Sequence, residues 1–349
     1  MSFQARDSID MPLKFIPHRP GPEDCWRGII LFGQNVASYK FALSLSLLEL
    51  RPTEGQLVRL EELAIPYSRY LCDHTRQSDR QITSSQSRIF DGCRRANAGE
   101  LSQEKLAELV TRHGFDHVLD AFHIVGRDAV PQQFFIDERD SHSGIRITEA
   151  FAVLAAGEQA LNLRVEAEAR WRLVETAWSL GVSRALLTVQ SDSDSETLFV
   201  IDPARRRKNI TGVRDALSGY QRGRCFYCFD EFSLSGSVIP DVDHFFPHTL
   251  QAAQWKDVDE IWNFVLSCRR CNRGVDGKSD RLPHTTLLER LYRRNEFLIE
   301  SKHPLRETLL RQTGADEAKR RAFLSDRYRW AGTFLHHEWM PPDRCEPLF

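Results

Sequence analysis

Two cysteine pairs, Cys225-Phe-Tyr-Cys228 and Cys268-Arg-Arg-Cys271, constrain this chain more than any other feature. Two thiolates separated by two residues reach one Zn²⁺ from a single tight turn, and two such pairs complete a closed tetrahedral site. Metal held this way contributes folding free energy directly, on the order of 10 kcal/mol or more. One Cys-x-x-Cys alone would leave a redox pair or a disulfide open, whereas two favour metal. The remaining cysteines (Cys25, Cys72, Cys93 and Cys345) lack partner spacing and read as buried or incidental thiols in a reducing compartment. Four cysteines leave no open coordination position, so the expected zinc is structural.

Between the pairs runs Asp241-Val-Asp-His-Phe-Phe-Pro247, and Asn272 follows the last cysteine directly. Residues Val238 to Phe246 read as an apolar strand interrupted by acidic residues and stopped by Pro247. Cleaving a phosphodiester needs an activated water, a cation to neutralise the growing charge, and fixed geometry. Neutral imidazole is the natural base near pH 7. A carboxylate with a carboxamide and waters suits a hard cation such as Mg²⁺ or Mn²⁺. Asp243, His244 and Asn272 supply these groups.

The combination Cys-x-x-Cys, Asp-His-x-x-Pro, Asn, Cys-x-x-Cys-Asn resembles the HNH endonucleases of the ββα-metal superfamily. The matching positions are Cys225, Cys228, Asp243, His244, Pro247, Asn263, Cys268, Cys271 and Asn272, within about residues 220–285. The resemblance implies His244 as the general base and Asp243 with Asn272 as the holders of one Mg²⁺ or Mn²⁺. It implies that Asn263 pins the loop carrying the base. Lys278 would contact phosphate, its register displaced by the insertion Val275-Asp276. The chain departs from the family where Ala252 to Trp262 replaces the usual glycine-rich segment. Asp241, two residues before Asp243, shares its strand face and is either a supporting partner or a solvent-facing acid. His248 reads as a solvated residue after the strand-ending proline, or else as an aid to the base.

The net charge is only −2, but acidic residues outnumber basic ones before residue 200 and the order reverses after it. Arg269, Arg270 and Arg273, inside and beside the second cysteine pair, are therefore candidate phosphate contacts that position nucleic acid without reading bases. Arg205 to Lys208 is as readily a solvated face. No run of eighteen apolar residues exists, so no membrane-spanning helix is expected, and the N-terminus lacks a signal-peptide core. A soluble, cytoplasmic protein follows as the expectation.

The expected class is α+β: a mostly helical N-terminal domain (1–202) of regulatory or positioning role, a zinc-stapled ββα-metal core (203–285), and a C-terminal helical extension packing on it (286–349). Helices are expected over Asn35–Leu50, after Ser102 up to Gly114, over Glu166–Leu180, around Thr211–Tyr220, over Thr285–Glu300 and over Asp316–Arg329. Ala185–Val189 and Thr197–Ile201 read as a hairpin, and the last twenty residues as an irregular tail. His113 and His117 have i, i+4 spacing, but Gly114 lies between them and no acidic companion fits a metal pattern.

These readings lead to a nuclease that nicks DNA with little sequence preference. Helical extensions on HNH cores are similar in layout to components of bacterial anti-phage systems such as Zorya-type loci, which implies defence partner proteins. Two alternatives stay open: a zinc-stapled module that binds nucleic acid or protein without catalysis, and an HNH toxin that cuts RNA.

Overall fold

Ser102 and Asp316 mark two helix starts by their side chains. The Ser102 hydroxyl accepts from the Lys105 N–H (3.3 Å) and opens the helix Gln103–His113, while the Asp316 carboxylate accepts from the Lys319 N–H (2.8 Å) and opens Glu317–Ala331. Each satisfies one of the donors that a helix N-terminus leaves unpaired. The computed structural model describes residues 20–341 apart from 34, 85, 182–186, 235–238, 254, 256 and 302. It is an α+β protein that divides into two compact units, Met1–Trp171 and Arg172–Phe349.

In the first unit the helix Tyr39–Leu50 is buried along its whole length from Lys40 to Leu48, not on one face alone. Its serines cost little there, because Ser44 and Ser46 donate back to the carbonyls of Phe41 and Ala42 at 2.7 Å. Trp26 sits edge-on to Phe122 and Phe134, and Phe41 stacks on Trp171. Arg27 is buried beside Glu166, with both guanidinium contacts to that carboxylate at 2.8 and 3.2 Å. The unit also holds small sheets that the helical expectation omitted. Gly144–Ile147 pairs antiparallel with Leu57–Arg59 and with Phe135–Glu138, and Ile124–Val125 pairs with Asp128–Ala129. Strands of two to four residues carry too few positions for a period-two signal.

The second unit starts at Arg172 rather than at the expected residue 203, since the helix Ala160–Ser179 contains the division. Its first sheet is antiparallel, in the order Gln190–Asp192, Thr197–Ile201, Arg207–Gly212. The hairpin's first strand thus follows Val189, and residues 185 and 186 of the expected strand lie outside the described residues. Thr211 belongs to the third strand, so the following helix is short (Val213–Ser218) and ends in a 3₁₀ turn, Gly219–Gln221. The sheet is tied into this unit: Val189 N–H donates to the Thr308 hydroxyl (2.7 Å), and Ser191 Oγ donates to the Asp259 carbonyl (2.8 Å).

Three helices, Thr285–Glu300, Arg306–Thr313 and Glu317–Ala331, complete the unit. The first packs on the segment between the cysteine pairs. Buried Arg294 and Asn295 both donate to the Trp262 carbonyl, at 3.1 and 3.3 Å. The tail is not wholly irregular, because Glu338–Trp339 pairs in parallel with Leu282–Pro283. Among the described residues no helix is long and apolar enough to cross a membrane.

Candidate active site and metal centre

The thiol groups of Cys225, Cys228, Cys268 and Cys271 all lie within 4.8 Å of one another and could hold a metal ion such as zinc. The Cys228–Cys268 separation of 3.7 Å is the edge of a tetrahedron with metal–sulfur bonds of about 2.3 Å. Backbone N–H groups of Tyr227 and Cys268 point at Cys225 Sγ (3.4 and 3.3 Å), which favours the thiolate form that a metal requires. Two side chains brace the first turn. Gln221 donates to the Leu266 carbonyl and accepts from the Leu266 N–H, both at 2.8 Å. Arg290 donates to the carbonyls of Phe226 and Tyr227 at 2.6 and 2.9 Å.

Asp241–His244 and Phe264–Ser267 form an antiparallel pair, with His244 opposite Phe264 and Asp243 opposite Val265. The helix Arg269–Arg273 follows at once and contains Cys271 and Asn272. Strand alternation sends Asp241 and Asp243 to one face and His244 to the other. The two carboxylates meet different partners. Asp243 is buried, accepts from the Tyr227 hydroxyl at 2.7 Å, and pairs with the Lys278 ammonium at 3.2 Å. Asp241 accepts from Asn272 Nδ2 at 3.0 Å and from Arg273 at 2.6 Å. The supporting role weighed for Asp241 thus has a physical form: it orients the Asn272 amide.

Lys278 is 1 % exposed, and its ammonium also donates to the carbonyls of His244 (3.0 Å) and Ser279 (3.1 Å). The structure therefore puts this lysine beneath the site, whereas the sequence expectation was a surface phosphate contact. The inserted residues between Asn272 and Lys278 form a tight turn, closed by Gly277 N–H to Gly274 O at 2.8 Å, that returns the lysine inward. Burial pushes the Asp243 carboxyl upward, opposed by Lys278, the Tyr227 hydroxyl and His244. Replacing Lys278 by Met leaves Asp243 buried without its cation, so a loss of about 3–5 kcal/mol is expected. A carboxyl whose folded pKa is raised binds more protons folded than unfolded, so its stability contribution falls as pH rises through that value. Lys278→Met raises it further, and calorimetric melting without added divalent metal should show a larger deficit near neutral pH than in mild acid.

His244 Nε2 lies 2.8 Å from Asp259 Oδ1, and its ring sits edge-on to Phe264. Burial lowers the His244 pKa, opposed mainly by Asp259 and then by Asp243. The imidazole is thereby kept in its neutral, basic form near pH 7. His248 is half exposed, with Nε2 3.5 Å from the same Asp259 oxygen. Asp259 lies in the segment that replaces the glycine-rich stretch. Trp255, Val258, Ile261 and Trp262 anchor that segment in the core, with Phe246 packed against both tryptophans.

Asn263 is fully buried, and its amide spans two loops. Oδ1 accepts from the Phe246 N–H (2.8 Å), while Nδ2 donates to the carbonyls of Phe246 (3.0 Å) and Val258 (2.8 Å). It is the staple between the segment after His244 and the segment before Asp259. Asn263→Ala strands three buried backbone groups, so about 3 kcal/mol or more of stability should be lost. Denaturant melting followed by tryptophan fluorescence measures this.

Arg269, Arg270 and Arg273 are exposed. Arg270 pairs with Asp230 (2.9 Å) and Arg273 with Asp241, and Arg269 has no ion-pair partner among the described residues. Tyr227, Asp259 and the buried position of Lys278 were missed by the sequence reading. Tyr227 stands in a Cys-x-x-Cys spacer, and Asp259 reaches His244 across a loop with no periodic signal. The chain matches no family model, no curated protein and no solved structure.

Proposed function

We propose that this chain is a metal-dependent endonuclease of the HNH kind, hydrolysing phosphodiester bonds of DNA one strand at a time. The observation that carries the reading is His244. Its Nε2 is held by a carboxylate, no hydrogen bond to its Nδ1 is made among the described residues, and the antiparallel pair bearing it leads into the short helix of Asn272. The oxygen donors that the motif offers a hard cation are the Asp243 carboxylate, which already meets Tyr227 and Lys278, and the Asn272 amide oxygen, whose NH₂ is committed to Asp241. Mg²⁺ or Mn²⁺ bound there would neutralise charge on the phosphate and the leaving oxygen.

The chain's own groups supply the rest. His244 takes the proton of the attacking water, Asp241 and Asn263 hold the neighbouring groups in place, and Arg269 and Arg273 contact backbone phosphates on the substrate. The four cysteines fix the start of the helix that carries Asn272, a structural task with no share in the chemistry.

Supercoiled plasmid and labelled RNA, incubated side by side with full-length protein and Mg²⁺ or Mn²⁺, test the reading. Open-circle product is expected from the plasmid. Cleavage of RNA alone would move the substrate to RNA. Retention of DNA without cleavage under either metal would favour the non-catalytic binding module.

A further inference from the structure

Resting on that reading, we propose that Asp259 is the positioning residue of the reaction: it fixes the His244 proton on Nε2 and leaves Nδ1 as the nitrogen that takes the proton from water. An ionised carboxylate is acceptor-only, so an imidazole nitrogen 2.8 Å from it must be the donor. A neutral imidazole has one N–H, and spending it on Asp259 makes Nδ1 the lone-pair nitrogen.

The carboxylate is held at one point and the backbone around it at two more. Its Oδ2 accepts from Gln251 Nε2 at 3.1 Å, and its backbone carbonyl accepts from Ser191 Oγ at 2.8 Å. The carbonyl of the preceding residue, Val258, accepts from Asn263 at 2.8 Å. Asn263 also grips the backbone of Phe246, two residues beyond His244, so one buried amide sets the spacing between base and orienting carboxylate. The Phe264 ring, 4.9 Å away and edge-on, closes one side of the imidazole and limits its rotation. His248, 3.5 Å from the same oxygen, is a weaker second neighbour and half exposed. This arrangement has the logic of a base oriented by a third group, in which the acid aligns the imidazole and touches no substrate.

Full-length protein labelled with ¹⁵N-histidine provides the test at about pH 8, where unperturbed imidazole is neutral. Long-range proton–nitrogen spectra report the tautomer, and the His244 signals are those lost in His244→Gln. Wild type is expected to show a protonated Nε2 and an unprotonated Nδ1. Asp259→Ala should give a mixture of both tautomers, with kcat for plasmid nicking down about a hundredfold and KM little changed. A wild-type proton on Nδ1 overturns the inference without any variant, and so does an Asp259→Ala protein with unchanged tautomer and unchanged kcat. If wild type cuts nothing yet Asp259→Ala still shifts the tautomer, Asp259 stands as the orienting group of His244 and the nuclease reading is what falls.

Discussion

Replacing Cys268 and Cys271 together by serine is expected to abolish metal binding and unfold the second unit. Four thiols within 4.8 Å, three of them buried, are a poor core without an ion, because the thiolates that bind metal repel one another when it is absent. Structural zinc of this kind contributes on the order of 10 kcal/mol, against about 5–15 kcal/mol of total stability in a typical domain. Loss of the ion therefore uses up most of the margin. Elemental analysis should find one zinc per wild-type chain and none in the double variant. Calorimetry should retain the transition of the first unit, whose core is its own, and lose that of the second. A double variant that keeps a native-like second transition would show the cysteines to be ordinary core residues.

His244→Ala should leave the fold and the zinc content intact while lowering the nicking rate by about 10²–10⁴. The side chain is 17 % exposed, and the strand that bears it is anchored by its neighbours, Asp243 below and Phe245 in the core. Wild type should also lose activity in acid, because a protonated imidazole accepts no proton. Since burial holds the His244 pKa below its ordinary value, the acid limb of the pH–rate profile should fall below about 6.5. Plasmid nicking across a pH series checks both points. Nicking by His244→Ala at the wild-type rate would remove this residue from the chemistry.

The cysteine clasp was legible in the sequence because its geometry is local: each pair sits on one turn, and spacing alone conveys it. Most long helices were legible for the same reason, through the cap at Ser102 and apolar periodicity. Contacts across loops were not. Asp259 meets His244 only because Trp255, Val258 and Trp262 pack that segment into the core, and no pattern in the letters encodes the result. Lys278 misled because a surface cation is the ordinary fate of lysine, whereas here the turn at Gly274–Gly277 draws it under Asp243. The expected boundary at residue 202 falls late for a similar reason, since the hairpin after Val189 joins the second unit through Thr308 and Asp259, both distant in sequence.

Trp339 donates from its indole nitrogen to the Asp276 carbonyl at 2.7 Å, and its strand runs parallel to Leu282–Pro283. The turn between Asn272 and Lys278 is thus clamped by a residue made more than sixty positions later. On the ribosome, where chains fold as they emerge, the cysteine clasp can close long before this clamp exists. A nascent chain therefore passes through a stage in which both cysteine pairs have emerged but the turn at Gly274–Gly277 is not yet fastened, and the final fastening comes only once synthesis has gone past residue 339.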